Sequence, residues 1–383
     1  MKPLSHLTVV DMTVNLPGPF CSEILADLGA RVIKVEPPGG DPLRHSPHMW
    51  ASLNRGKESI TLNLKSTTGR QILQDLIAKA DIFLEGSRPG VAKRLGADYT
   101  TLATINPDLV YCSISGFGQD GPWTNRPAHD INYLALSGYL STQSTIEGNP
   151  APPPILISDL ASGLYSTIAI LAAITSRQAN GKGTFIDLSM TDSALSLLGL
   201  EIAKSSDHSI SDQKPNVSYI PHYGVFPCSD GKWMTLGIVH EDHFWDRLCN
   251  ITEINDLSGL DFDQRLDRAD EIKERLHKLF ITKTSEEWEQ LLYNADIPAA
   301  AVLDIWEVLK SDHFKHRGSF VNIDLYRHVI LPFNFSNASV SPEPKISTTG
   351  ENTKTIITNL GYTSEEFELF TQADAFGSLD KGD

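Results

Sequence analysis

Across the first 120 residues, short β-branched and apolar runs alternate with segments whose apolar positions recur at helical spacing. Leu7 to Met12 (LTVVDM), Arg31 to Glu36 (RVIKVE), Ile82 to Glu85 (IFLE) and Leu109 to Ser115 (LVYCSIS) read as buried strands, with helices predicted over Pro19 to Leu28 and Gly69 to Ala80. Strands spaced by helices imply right-handed crossovers and a mostly parallel, covered sheet, an α/β fold. After the prolines between Pro150 and Pro154, Ala161 to Gln178 reads as one apolar helix closed near Gly181, followed by a strand at Thr184 to Met190. Residues 204–222 are polar and Ser-rich, a loop or a crossing between domains. Two strand-like runs around Ser229-Asp230-Gly231 then predict a hairpin, and mixed-charge helices continue to about residue 310. The resulting division is a large domain over 1–200, a linker over 201–224, a smaller α+β domain over 225–330, and a segment over 331–383. That segment carries helices at Thr353 to Asn359 and Ser364 to Thr371, placed to return to the large domain within the chain or across a dimer.

Composition narrows the function. The 383 residues include 32 Lys and Arg against 48 Asp and Glu, a net charge of -16, which repels nucleic acid and anionic membrane surfaces. No nucleic-acid or membrane partner is expected. Cys21, Cys112, Cys228 and Cys249 stand far apart without a CxxC pair, as in a reducing, cytoplasmic setting. The amino-terminal stretch lacks the long apolar core of a secretory signal, and the longest apolar run, Ile168 to Ile174, is too short to span a bilayer.

Each candidate for chemistry also has a plainer reading. Pro37 to Pro42 (PPGGDP) follows a strand but matches neither a dinucleotide fingerprint nor a Walker loop, so a simple turn is the commoner explanation. Arg55, Lys57, Lys65, Arg88, Lys93 and Arg94 form either a solvated face or a basic rim for phosphates. His129 precedes a helix-like run as a loop histidine or a proton acceptor. Asp159 precedes the long helix as an N-cap or an acid-base carboxylate. His240-Glu241-Asp242-His243 is not HExxH and has no third ligand in view, so no metal is assigned to it.

The runs GPFCSEILADLGARVIKVEPPGGDPLR, NRGKESITLNLK, DIFLEGSRPGVAKRLG, LVYCSISGFGQDGP, DGKWMTLGI and IPAAAVLDIWEVL, in that order, resemble the family III CoA-transferase superfamily. AHDINYLALSGYL resembles its α-methylacyl-CoA racemase branch, with Ala128 standing where that branch has glycine. The resemblance implies an open Rossmann-like large domain, a small domain, an interlocked homodimer and an acyl-CoA substrate. CoA enters as part of that thioester, and no separate cofactor is expected. It further implies that His129 and Asp159 are the two bases of a racemase acting on 2-methylacyl-CoA, with amides at the start of the Asp159 helix receiving the enolate oxygen. Glu241 would orient His129, with His240 and Asp242 as the alternatives. In transferase members the matching aspartate is instead a nucleophile that carries CoA between carboxylic acids. For CoA itself the resemblance assigns Leu62 and Lys65 near the adenine, together with Gly86, Ser87, Arg88, Arg94, Ala128, Asp130, Asn132 and Tyr133. Pro37 replaces an arginine of the racemases, so a phosphate contact is expected to fall to Arg44 or Arg55.

Overall fold

Six β-strands build one sheet: β1 (Thr8–Met12), β2 (Arg31–Glu36), β3 (Lys57–Thr61), β4 (Ile82–Glu85), β5 (Val110–Ser115) and β6 (Thr184–Ser189). Their order is β3-β2-β1-β4-β5-β6 and every neighbouring pair is parallel. A computed structural model describes residues 2–142, 149–205 and 220–377. Successive strand residues point to opposite faces and both faces are apolar. Val10, Ile33, Ile60, Phe83 and Tyr111 meet one core cluster, while Val9, Val32, Leu84 and Cys112 meet another.

The helices of this part are α1 (Pro17–Asp27), α2 (Pro47–Asn54), α3 (Thr67–Ile77), α4 (Val91–Arg94), α5 (Tyr99–Ile105), α6 (Asp130–Leu136), α7 (Tyr139–Thr142), α8 (Ile157–Asn180), α9 (Met190–Ser196) and α10 (Gly199–Ser205). Ile72, Leu73 and Leu76 of α3 fill the first core, and Cys21 and Leu25 of α1 join Ile170 and Ile174 of α8 in the second. α8 crosses α1 so closely that a Cβ on Gly163 would lie 2.8 Å from the Phe20 ring, which explains a glycine inside a helix. With 24 residues, α8 is long and apolar enough by length and composition to cross a membrane, unlike the shorter apolar run read from the sequence. Its Ala161, Ser162, Ser166, Thr167 and Ile170 are buried in the protein itself.

The chain divides into two units, Met1–Ser206 with Gly318–Asp383, and Asp207–Arg317. In the second, β7 (Tyr223–Pro227), β8 (Trp233–Gly237) and β9 (Ala299–Ala301) form an antiparallel sheet. The helices α11 (Asp242–Thr252), α12 (Phe262–Asp267), α13 (Ala269–Phe280), α14 (Ser285–Asn294), α15 (Ile305–Lys310) and α16 (Asp312–His316) complete it, around a core that includes Trp245, Leu276, Phe280 and Trp288. The hairpin β10 (Phe320–Ile323) and β11 (Tyr326–Val329) belongs with the first unit, so the smaller unit ends at Arg317 and not near residue 330. The reason is local: Arg55 donates to the Val329 carbonyl at 3.2 Å and its guanidinium lies 3.5 Å from the His328 ring.

Residues 206–219 of the expected linker and 378–383 of the carboxy-terminal segment lie outside the described residues. The last two helices, α17 (Thr353–Leu360) and α18 (Ser364–Gln372), stay in the first unit. Ile356, Ile357 and Phe376 enter its first core, and the Asn63 amide donates to the Ala375 carbonyl at 2.7 Å.

Candidate active site

The strand order reverses between β1 and β4, where the crossovers leaving the two strands run in opposite directions along the sheet. In open α/β sheets, the crevice beyond the carboxyl ends of such strands takes the ligand. A cavity of about 550 Å³ opens there, walled by the loop Thr13 to Gly18 after β1 and by Gly86 to Pro89 after β4. A second, of about 300 Å³, lies beyond β2 and β3, lined by Pro37, Pro38, Leu62, Lys65 and Leu95. Val14 and Ser87 line both.

His129 and Asp159 line the larger cavity together with Ala128, Asn132 and Tyr133. His129 is the exposed N-cap of α6, held by its own backbone: its N–H donates to Asn132 Oδ1 at 3.0 Å, and its carbonyl accepts from the Asn132 N–H at 2.8 Å. Tyr133 donates its hydroxyl to the Ala128 carbonyl at 3.0 Å, bracing the same turn. Its ring approaches Gly116 so closely that a Cβ there would lie 2.8 Å away.

Asp159 sits in the first turn of α8 but does not cap it. Asp130 does so from α6: its Oδ1 accepts from the Ser158 N–H at 2.8 Å and the Asp159 N–H at 3.1 Å. The Asp159 carboxylate is thereby released from the capping role and placed beside a second carboxylate. Partial burial, reinforced by the negative charge of Asp130, raises Asp159 to about 7. A group poised there exchanges protons readily in both directions at neutral pH.

Asp130 therefore braces the two catalytic candidates and lines neither cavity. The Ser158 and Asp159 amides, expected to receive an enolate oxygen, are taken up by Asp130. Arg44 and Arg55 also stand away from both cavities. Both nitrogens of an Arg44 fork donate to Glu36 at 2.6 Å, and its guanidinium lies 3.8 Å over the Trp50 ring. Arg55 is buried against Glu23 and Asp27. A carboxylate already holds each guanidinium.

The remaining basic residues differ. Among the described residues, Lys65, Arg88, Lys93 and Arg94 have no ion-pair partner. Lys65 lines the smaller cavity and Arg88 the larger, while Lys93 and Arg94 are exposed on α4. Gly86 and Ser87 form the turn between the cavities. Their anchor is Glu85, which sequence reading did not single out: it is buried, accepts from the Ser87 N–H at 2.9 Å and takes the Ser113 hydroxyl. Ser113 in turn accepts from Gln119 Nε2 at 2.9 Å, tying the loops after β4 and β5 together. The loop after β1, Met49, Arg126 and Met190 also line the larger cavity without having been foreseen. Only the reversal in strand order, itself a tertiary fact, points to that first loop.

Glu241 lies in the second unit as the N-cap of α11, where its Oε2 accepts from the Val239 N–H at 2.9 Å. His240 and Asp242 flank it, and Asp242 pairs with the buried Arg265 at 2.9 Å. Among the described residues, no group of three or more His, Cys, Asp or Glu side chains is arranged to hold a metal.

Residues 4–353 match the family described as CoA-transferase family III. The chain is 35% identical to an acetyl-CoA:oxalate CoA-transferase of Acetobacter aceti over 80% of its length and 82% of that protein. It is 33% identical to a human α-methylacyl-CoA racemase over 95% of this chain and 94% of the relative. A crystal structure of a CAIB/BAIF family protein from Brucella suis superposes with a TM-score of 0.85 at 28% identity, covering 94% of this chain and 99% of that one.

Proposed function

The chain belongs to CoA-transferase family III, and from that premise we propose that it is a racemase interconverting R and S 2-methylacyl-CoA thioesters. The observation that carries this reading is the meeting of His129 and Asp159 in one cavity, from the starts of two different helices. The thioester makes the α-hydrogen acidic. One of the two groups removes it as a proton, leaving its electron pair in an enolate, and the other returns a proton to the opposite face. The initial base ends protonated and the initial acid ends deprotonated, so proton exchange with solvent must reset the pair before another turnover in the same direction. CoA is assigned to the smaller cavity at its adenine end, passing Ser87, with phosphates against Lys65, Arg88 and Arg94.

Apolar side chains exposed on α8 and α10, among them Leu164, Ile168 and Leu200, support an interlocked homodimer. Four free, buried cysteines fit a reducing compartment such as the cytoplasm. The reading is tested by incubating one epimer of a 2-methylacyl-CoA in deuterated water: the expected result is loss of the α-proton together with appearance of the other epimer. A retained α-proton, with CoA passing to an added carboxylic acid, would overturn it. That outcome belongs to the transferase reading, which the match to the oxalate enzyme supports and in which Asp159 becomes an aspartyl thioester.

A further inference from the structure

The basic residues near the two cavities exceed what the CoA part of a thioester requires. Arg44 and Arg55 are spoken for by buried carboxylates. Lys65 lines the smaller cavity, Arg88 lines the larger one next to Ser87, and Lys93 and Arg94 are exposed on α4; the phosphates of CoA are assigned above to Lys65, Arg88 and Arg94. Arg126 is left over. It lines the larger cavity with His129 and Asp159, and its guanidinium has no hydrogen-bond or ion-pair partner among the described residues.

Its place in the chain ties it to His129. Arg126 is joined to His129 through Pro127 and Ala128, and three residues of extended chain place their Cα atoms no more than about 10 Å apart. Its loop is set by a turn in which the Arg126 N–H donates to the Trp123 carbonyl at 2.8 Å, and Pro127 fixes the next backbone angle. Arg126 is exposed, and the wall of the cavity it lines combines apolar residues such as Leu16, Phe117 and Met190 with polar ones such as Asn15 and Asn132. An unpaired guanidinium in such a wall offers a planar fork to a carboxylate a few bonds from the reacting carbon.

We infer that Arg126 receives a terminal carboxylate on the acyl chain, so that the protein selects 2-methylacyl groups ending in a second acid over purely apolar ones. The inference rests on the racemase reading for its substrate and deepens it.

The test uses a pair of thioesters alike except at the chain end, 2-methylglutaryl-CoA and 2-methylpentanoyl-CoA, with the full-length chain. Binding is measured by calorimetry, and α-proton exchange is followed separately. The wild-type protein is expected to bind the carboxylated thioester at least tenfold more tightly, in line with one charge-assisted hydrogen-bonded pair. Arg126→Leu should bring the ratio of the two dissociation constants to about one, and Arg126→Lys should keep part of it. A wild-type ratio near one overturns the inference, as does a ratio that Arg126→Leu leaves intact. Equal weakening of both thioesters and of free CoA by that variant also overturns it, since it marks a phosphate contact. A binding preference that depends on Arg126, without exchange on either thioester, leaves this inference standing and removes the racemase reading.

Discussion

Asp11 and Asp159 are the same residue in the same unit, and both are withdrawn from water, yet their surroundings drive them in opposite directions. Burial alone would raise Asp11, but Lys34 at 3.7 Å and Lys57 at 3.3 Å hold it well below the usual carboxylate range. Its Oδ1 accepts from the Thr13 N–H at 2.9 Å, and Ser22 donates to its Oδ2 at 2.6 Å. Asp159 has no such cation, and its charged neighbour is Asp130. The contrast extends across the sheet. On the β1–β3 side buried charges are matched: Glu36 with Arg44, Asp41 with Lys34, and Arg55 with Glu23 and Asp27. Past the reversal they are not, since Asp159 faces a like charge and buried Glu85 is held by hydroxyl and amide donors. At Asp11 two lysines outweigh burial and hold the carboxylate ionised for the fold, whereas at Asp159 a like charge adds to burial, keeps both states accessible and leaves the group free to do chemistry.

The sharpest way to break this comparison is to remove one member from each side. Asp159→Asn should lower α-proton exchange by about 10²–10⁴-fold, the usual worth of a general acid-base group, in the deuterium assay. Arg55→Met should instead reduce stability by about 3–5 kcal/mol in urea unfolding, because Asp27 is left buried without its cation. If Arg55→Met left unfolding untouched, the matched side would not be the scaffold described here.

A smaller effect concerns Arg94→Met on the open side, expected to weaken CoA binding about tenfold, by loss of one charged contact, while unfolding shifts by no more than about 0.5 kcal/mol. Equal losses of stability from Arg55→Met and Arg94→Met would erase the distinction between the two sides. The smallest change is in pH dependence. In the direction where Asp159 is the base, the rate should rise with pH through about 7 as its carboxyl gives up its proton. Asp130→Asn keeps an oxygen for the α8 cap but removes the repelling charge, so the midpoint should move down and the rate at pH 6 rise roughly threefold. A midpoint that moves up, or stays, would show that Asp130 does not set the titration.

Much of the sheet was legible. β2 and β4 match their predicted limits, β1, β5 and β6 do so within one residue at an end, and their β-branched runs carry the signal. β3 was not foreseen, because its sequence, Lys-Glu-Ser-Ile-Thr, reads as polar. Lys57 and Ser59 are nevertheless buried, Lys57 against Asp11 and Ser59 donating to Glu36, so an interior polar network disguises a core strand. Arg44 and Arg55 likewise looked like free cations because their carboxylates come from other elements of the fold. Conversely, His129 and Asp159 were identified together only through resemblance, since each alone had an ordinary structural reading.

By itself the sequence determined the elements whose apolar period is unbroken, the net charge of -16, and the motif order that carries the family. These are local or additive properties, and a linear reading retains them. The tertiary structure decided which charges are partnered, since Asp159 and Asp130 stand 29 residues apart and Arg55 and Asp27 stand 28 apart. It also placed the cavity at the point where the strand order reverses. Asp11 is held ionised by the lysines beside it and Asp159 is left to exchange its proton beside a like charge, and the fold supplies those neighbours.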